Sequence, residues 1–154
     1  MAALSDLQVL RDEADIKRLK ALYFRSVDTK DWDTLEGLFT DDATLWFAEH
    51  EPEPLPFRES LERNIKGILE GAVSVHHGHM PEIEVLSEDR ARGIWAMESR
   101  LSWPRGDSRI GLQYSHGYGH YHEEYRKVGG RWRIRSLKLT QLWKQAIPYP
   151  KAVF

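Results

Sequence analysis

An α+β fold is the class this sequence predicts: a cone-shaped α+β barrel with three N-terminal helices packed on a strongly curved, mostly antiparallel sheet. Apolar residues recur at three- and four-residue intervals as far as Leu69, then at intervals of two from Val73 onward. Helices followed by strands, rather than alternating with them, are the mark of helices gathered on one face of an antiparallel sheet. Finally, Gly111, Gly117 and Gly119 interrupt one strand-like run, and glycine inside a strand marks a bend or bulge.

The elements follow in order. Ile16, Leu19, Lys20, Tyr23, Phe24 and Val27 form one mostly apolar stripe, which predicts a first helix from Ser5 to Asp28. Asp31 is placed to cap a short second helix carrying Leu35, Leu38 and Phe39, with Asp41-Asp42 ending it. "ATLWF" reads as a strand, and the prolines of "AEHEPEPLPF" make a loop. Leu61, Ile65 and Ile68-Leu69 suggest a third helix stopped by Gly71. Four strands then follow: "SVHHGHMPEIEVL", "RARGIWAMESRLSW", "RIGLQYSHGYGHYHEEYRKV" and "RWRIRSLKLTQLW". Glu88-Asp89, Pro104-Arg105-Gly106-Asp107 and Gly129-Gly130 supply the turns between them.

Composition narrows the function. With 154 residues, 41% hydrophobic and 30% charged, one domain spanning 1–154 is expected, large enough to bury a substantial core. A net charge of -2 provides no general attraction for nucleic acid or anionic lipid, so neither is expected as a partner. Cysteine is absent, which removes disulfides, thiolate nucleophiles and cysteine-held metal clusters together. No stretch approaches the ~20 apolar residues of a membrane span, and "MAALSDLQVLRDEADIKRL" lacks the basic start and apolar core of a secretory signal. A cytoplasmic protein is the expectation.

"SVHHGHMPEIEV" places His76, His77 and His79 within four residues. Strand neighbours face opposite ways, so if His76 points into the cone, His77 and His79 point out. His116, Tyr118, His120 and His122 likewise share one parity, with Gly117, Gly119, Tyr121 and Glu123 on the other. The hollow of a curved sheet is the default ligand site, since such pockets are concave and mostly apolar.

The element order, with "LYFRSVDTKDWDTLEGLFTDDA", "VHHGHMPEIEV" and "GHYHEEYRKVGGRWRI", resembles the nuclear transport factor 2-like superfamily. More narrowly it resembles the SnoaL-like branch that includes scytalone dehydratase, bile-acid 7α-dehydratase and hexachlorocyclohexane dehydrochlorinase. The resemblance implies that Asp28 pairs with His76 as a catalytic dyad, and that Tyr23, five residues before Asp28, is an active-site tyrosine. It turns Tyr121 inward and leaves His77, His79, His116, His120 and His122 on the outer sheet face. There they serve either a metal or a homodimer or homotrimer contact, the contact being preferred. The branch's third-strand acid falls near Ser99, where this chain has none, and "RSLKLTQ" has no clear match for an arginine that some members carry. With Asp28 and His76 as the floor, strand parity directs Leu45, Phe47, Trp95, Met97, Ser99, Leu101, Tyr121, Leu137 and Leu139 to the cavity as substrate contacts.

An Asp-His pair suits proton transfer: the carboxylate fixes the tautomer and stabilises the imidazolium that forms. A phenol can hydrogen-bond a developing oxyanion. Six tryptophans and six tyrosines favour a bulky cyclic ligand over a sugar or nucleotide. The expected protein is therefore a lyase of the dehydratase type, or an isomerase, acting on a hydrophobic cyclic molecule without cofactor or metal. The alternative is a non-catalytic binding or accessory subunit of the same fold, such as a ring-hydroxylating dioxygenase β-subunit.

Overall fold

Helix α1 (Asp6–Thr29) begins where Ser5 Oγ accepts a hydrogen bond from the Gln8 backbone N–H, satisfying one of the free donors of the first turn. Its buried stripe contains Ile16, Leu19, Lys20, Tyr23 and Val27. In this computed structural model, which describes residues 4–104, 106 and 108–150, the helix ends at Lys30 in the left-handed region (φ 61°). Lys30 is not glycine, so the conformation is strained. Its Nζ donates to the Val27 carbonyl at 3.2 Å and to Ser74 Oγ at 2.6 Å, tying the helix end to the sheet.

Asp31 caps α2 (Trp32–Gly37), its Oδ1 accepting from the Thr34 N–H at 3.1 Å. Strand β1 (Phe39–Phe47) starts earlier than the sequence suggests, so Phe39 and Asp41-Asp42 lie in the strand and not at a helix end. The tertiary setting decides this. Phe39 stacks on Phe57 with centroids 4.0 Å apart, and Asp42 meets Arg135 at 3.1 Å and Arg126 at 3.4 Å. After the proline segment come β2 (Leu55–Pro56) and a continuous helical stretch in three parts. These are α3 (Phe57–Ser60), a π-helical turn (Leu61–Lys66) and α4 (Gly67–Leu69). The third helix is therefore present, with one wide turn that periodicity did not show.

Strands β3 (Val73–Val85), β4 (Arg90–Ser102), β5 (Leu112–Val128) and β6 (Arg131–Pro148) complete a six-stranded sheet of order β2-β1-β6-β5-β4-β3. All pairs are antiparallel except β1 with β6. The fold is mixed α+β with the helices on one face, and the sheet stays open rather than closing into a barrel. Gly111 lies in a turn (φ 70°) ahead of β5 and does not interrupt it, whereas Gly117 and Gly119 are inside it. Gly119 sits at a register shift between β5 and β6, where a Cβ would lie 2.2 Å from the Thr140 carbonyl oxygen. Only glycine lets the two backbones approach so closely. Of the turn expected at Pro104–Asp107, Arg105 and Asp107 lie outside the described residues. No helix among the described residues is long and apolar enough to cross a membrane.

Candidate active site

The inner sheet face is organised in rows across the strands. His76 pairs with Ser99, Ser99 with Gly117, and Gly117 with Lys144. One row to one side stand Leu101 and Ser115; to the other side stand Met97 with Gly119 and Gln141, then Tyr121 with Leu139. Helix α1 supplies Tyr23 and Val27, and the π-turn and α4 supply Asn64, Ile65, Ile68 and Leu69. Between them lies a cavity of about 120 Å³. Glu49, His50 and Lys144 also line it and are exposed, so they mark its rim.

Asp28 occupies the last turn of α1, where the helix dipole disfavours an anion. Both its oxygens are engaged by one residue: Oδ2 accepts the His76 backbone N–H at 2.8 Å, and Oδ1 lies 2.6 Å from His76 Nδ1. Burial alone would raise this carboxyl's pKa, but the ring and backbone hydrogen bonds of His76 outweigh it and hold the group below its usual value. An ionised Asp28 assigns the proton to Nδ1 and leaves Nε2 as the nitrogen able to exchange a proton. His76 lines the cavity; Asp28 stands behind it. Their side chains are 12% and 23% exposed, so the pair is shielded yet reachable.

Tyr23 and Tyr121 are both 3% exposed and line the cavity with ring centroids 6.0 Å apart. Burial first, and then neighbouring charges, raise both phenols well above their usual range, so each remains a protonated donor at neutral pH. Among the remaining sequence candidates Phe47, Met97, Ser99, Leu101 and Leu139 also line the cavity. Leu45 (1% exposed), Trp95 (5%) and Leu137 (1%) lie in the packed core behind it, although their parity is the inward one. Parity selects a face of the sheet; it does not say which part of that face the helices cover.

Several neighbours escaped sequence reasoning. Ser115 and Gln141 continue the rows already recognised and were legible by the same alternation. Asn64 stands in the π-helical turn and also lines the cavity. The buried Lys20, drawn from the apolar stripe, makes an ion pair with Glu123, which also accepts from the Tyr125 hydroxyl. Tyr125 in turn accepts from Trp95 Nε1 at 2.8 Å. The Lys20 ammonium lies 4.0 Å from the Tyr23 ring centroid and 3.9 Å from that of Tyr121.

Of the five histidines expected on the outer face, His77 is exposed and the other four fall into two groups. His116 lies 2.8 Å and His79 3.9 Å from the Glu98 carboxylate, with Arg100 at 2.9 Å. His120 and His122 neighbour each other farther along β5, and His122 Nε2 is 3.0 Å from Thr140 Oγ1. Among the described residues no three His, Asp or Glu side chains converge in a group that could hold a metal ion.

A sequence profile of the SnoaL-like domain matches residues 8–138. The chain belongs to the SnoaL-like family. A curated relative, the probable cyclase FGR4 of Gibberella zeae, is 27% identical over 143 residues, covering 85% of this chain and 92% of that protein. Among solved structures, a scytalone dehydratase-like protein of Novosphingobium aromaticivorans is 19% identical with a TM-score of 0.78, over 97% of this chain and 100% of that one. The hexachlorocyclohexane dehydrochlorinase LinA-type3 of Novosphingobium barchaimii is 22% identical with a TM-score of 0.75, over 97% and 99%. At identities this low the structural likeness shows the fold alone, the nuclear transport factor 2-like fold.

Proposed function

We propose that this SnoaL-like protein is a cofactor-independent acid–base enzyme, a dehydratase-type lyase or an isomerase, acting on a hydrophobic cyclic small molecule. The observation that carries the reading is the 2.6 Å contact of Asp28 Oδ1 with His76 Nδ1 at the wall of a mostly apolar cavity. In the elimination, His76 Nε2 takes a proton from the ring carbon beside a carbonyl. The C–H electron pair moves into the carbonyl to form an enolate, and Tyr23 or Tyr121 donates a hydrogen bond to its oxygen. Collapse of the enolate forms the C=C bond and expels the hydroxyl, which takes the proton back from imidazolium and leaves as water. In an isomerisation the same imidazolium returns the proton to another carbon. Asp28 stabilises the imidazolium in either case.

The names of the similar proteins, a cyclase, a dehydratase-like protein and a dehydrochlorinase, support proton-transfer chemistry on small molecules. The outer face of β5 and β6, with Tyr118 (40% exposed) and Trp143 (48%) beside His116, supports self-association as a homodimer or homotrimer. The test is a screen of cyclic β-hydroxy ketones and halogenated rings, followed by absorbance of the conjugated product. Turnover that His76→Ala removes, with the fold intact by circular dichroism, is the expected result. His76→Ala activity within a few-fold of wild type would sink the reading, and retention of ligand without turnover would identify a binding subunit instead.

A further inference from the structure

We propose that the cavity admits a single six-membered ring carrying an oxygen substituent and excludes fused ring systems, a substrate class that rests on reading this cavity as the active site. The space between the packed walls, open to solvent at its rim, is about 120 Å³, slightly smaller than the ~150 Å³ apolar cavity known to hold benzene. Its floor cannot deepen. Tyr23 and Tyr121 sit directly against the Lys20 ammonium, and Lys20 is fixed by a carboxylate that also holds Tyr125. Moving either ring back would displace a fully buried ion pair whose polar atoms are satisfied. Behind the side walls, Leu45, Trp95 and Leu137 are packed core. On the cover, Ile68 of α4 is half-buried and is the side chain best placed to yield. The polar groups that line the interior are His76, Tyr23, Tyr121, Ser99, Ser115, Asn64 and Gln141. That inventory suits one or two oxygens on the ring, with any short polar arm directed to Glu49, His50 and Lys144 at the rim.

The test is binding of phenol, 2-naphthol and 1-hydroxypyrene to the whole protein, measured by calorimetry and by the ring resonances of His76. Phenol is expected to shift the His76 resonances. A second ring that found room would tighten binding about tenfold or more; 2-naphthol is instead expected to bind no tighter than phenol, and 1-hydroxypyrene to leave His76 unmoved. Ile68→Ala, or Ile68→Val should that variant fail to fold, is expected to tighten 2-naphthol about tenfold relative to phenol. Wild-type protein that binds 2-naphthol tenfold tighter than phenol while shifting His76 would overturn the size limit, as would phenol that leaves His76 unmoved. Binding is read without turnover, so an acid–base reading lost to an active His76→Ala variant would leave the ring-size order standing, and the reverse.

Discussion

Two of the charged side chains that helix α1 directs at the sheet, Lys20 and Asp28, stand eight residues apart, and each meets an ionisable partner there. Lys20 pairs with Glu123 and both side chains are fully buried; Asp28 pairs with His76 at the cavity wall and both keep some exposure. The first pair is closed by Tyr23, Phe24 and Tyr121 stacked around the ammonium, with no space beside it for a ligand. The second has a hollow on the side of His76 away from the carboxylate. Similar ingredients thus yield a rigid floor in one place and a proton-transfer site in the other, and what separates them is the recess.

The two pairs should respond oppositely to mutation. His76→Ala should lower kcat by about 10²- to 10⁴-fold, the usual worth of a positioned base, with little change in the urea midpoint. Glu123→Ala should do the reverse, removing about 3–5 kcal/mol of stability by leaving the Lys20 charge buried without a partner. Lys20→Met combined with Glu123→Leu should recover most of that loss, because a buried pair replaced by apolar groups is often neutral. Equal loss in the single and double variants would show that the pair is more than architecture.

Asp28→Asn should cost about 10²-fold in kcat, since the amide keeps the shape but no longer stabilises imidazolium. If it instead unfolds the protein, the dyad is structural like its neighbour. Gly119→Ala should destabilise by about 1–3 kcal/mol, because a methyl there meets the Thr140 carbonyl and the strands must part. The smallest effect expected is an acid limb. The folded Asp28 carboxyl is held below its usual value, so its contribution is complete above the ordinary carboxylate range near pH ~4 and is lost as pH falls through the folded value. Stability measured from pH 6 down to 2 should fall less steeply in Asp28→Asn than in wild type.

Much of this was legible in the sequence because alternation determines facing. That His76 faces opposite to His77 and His79, and Tyr121 opposite to His116, follows from the pleat; which set turns inward came from the resemblance to the SnoaL-like branch. Two kinds of feature were not legible. Phe39 and Asp41-Asp42 read as the end of a helix, yet parallel pairing with β6 and the arginines of β5 and β6 made them strand; those partners lie some ninety residues away. Trp95, Leu45 and Leu137 have cavity parity but pack as core, because the helices determine where the hollow lies. Lys20 was visible in the apolar stripe, but its partner Glu123 could be assigned only once the sheet had brought β5 under α1.

The most direct test is a ¹⁵N correlation spectrum of the His76 ring at neutral pH, in wild type and in Asp28→Asn. The expected wild-type ring carries its proton on Nδ1, with an unprotonated Nε2 that shifts when phenol is added, and Asp28→Asn should lose that fixed tautomer. A wild-type ring protonated on Nε2, or a tautomer unchanged by Asp28→Asn, would contradict the pairing on which the chemistry depends.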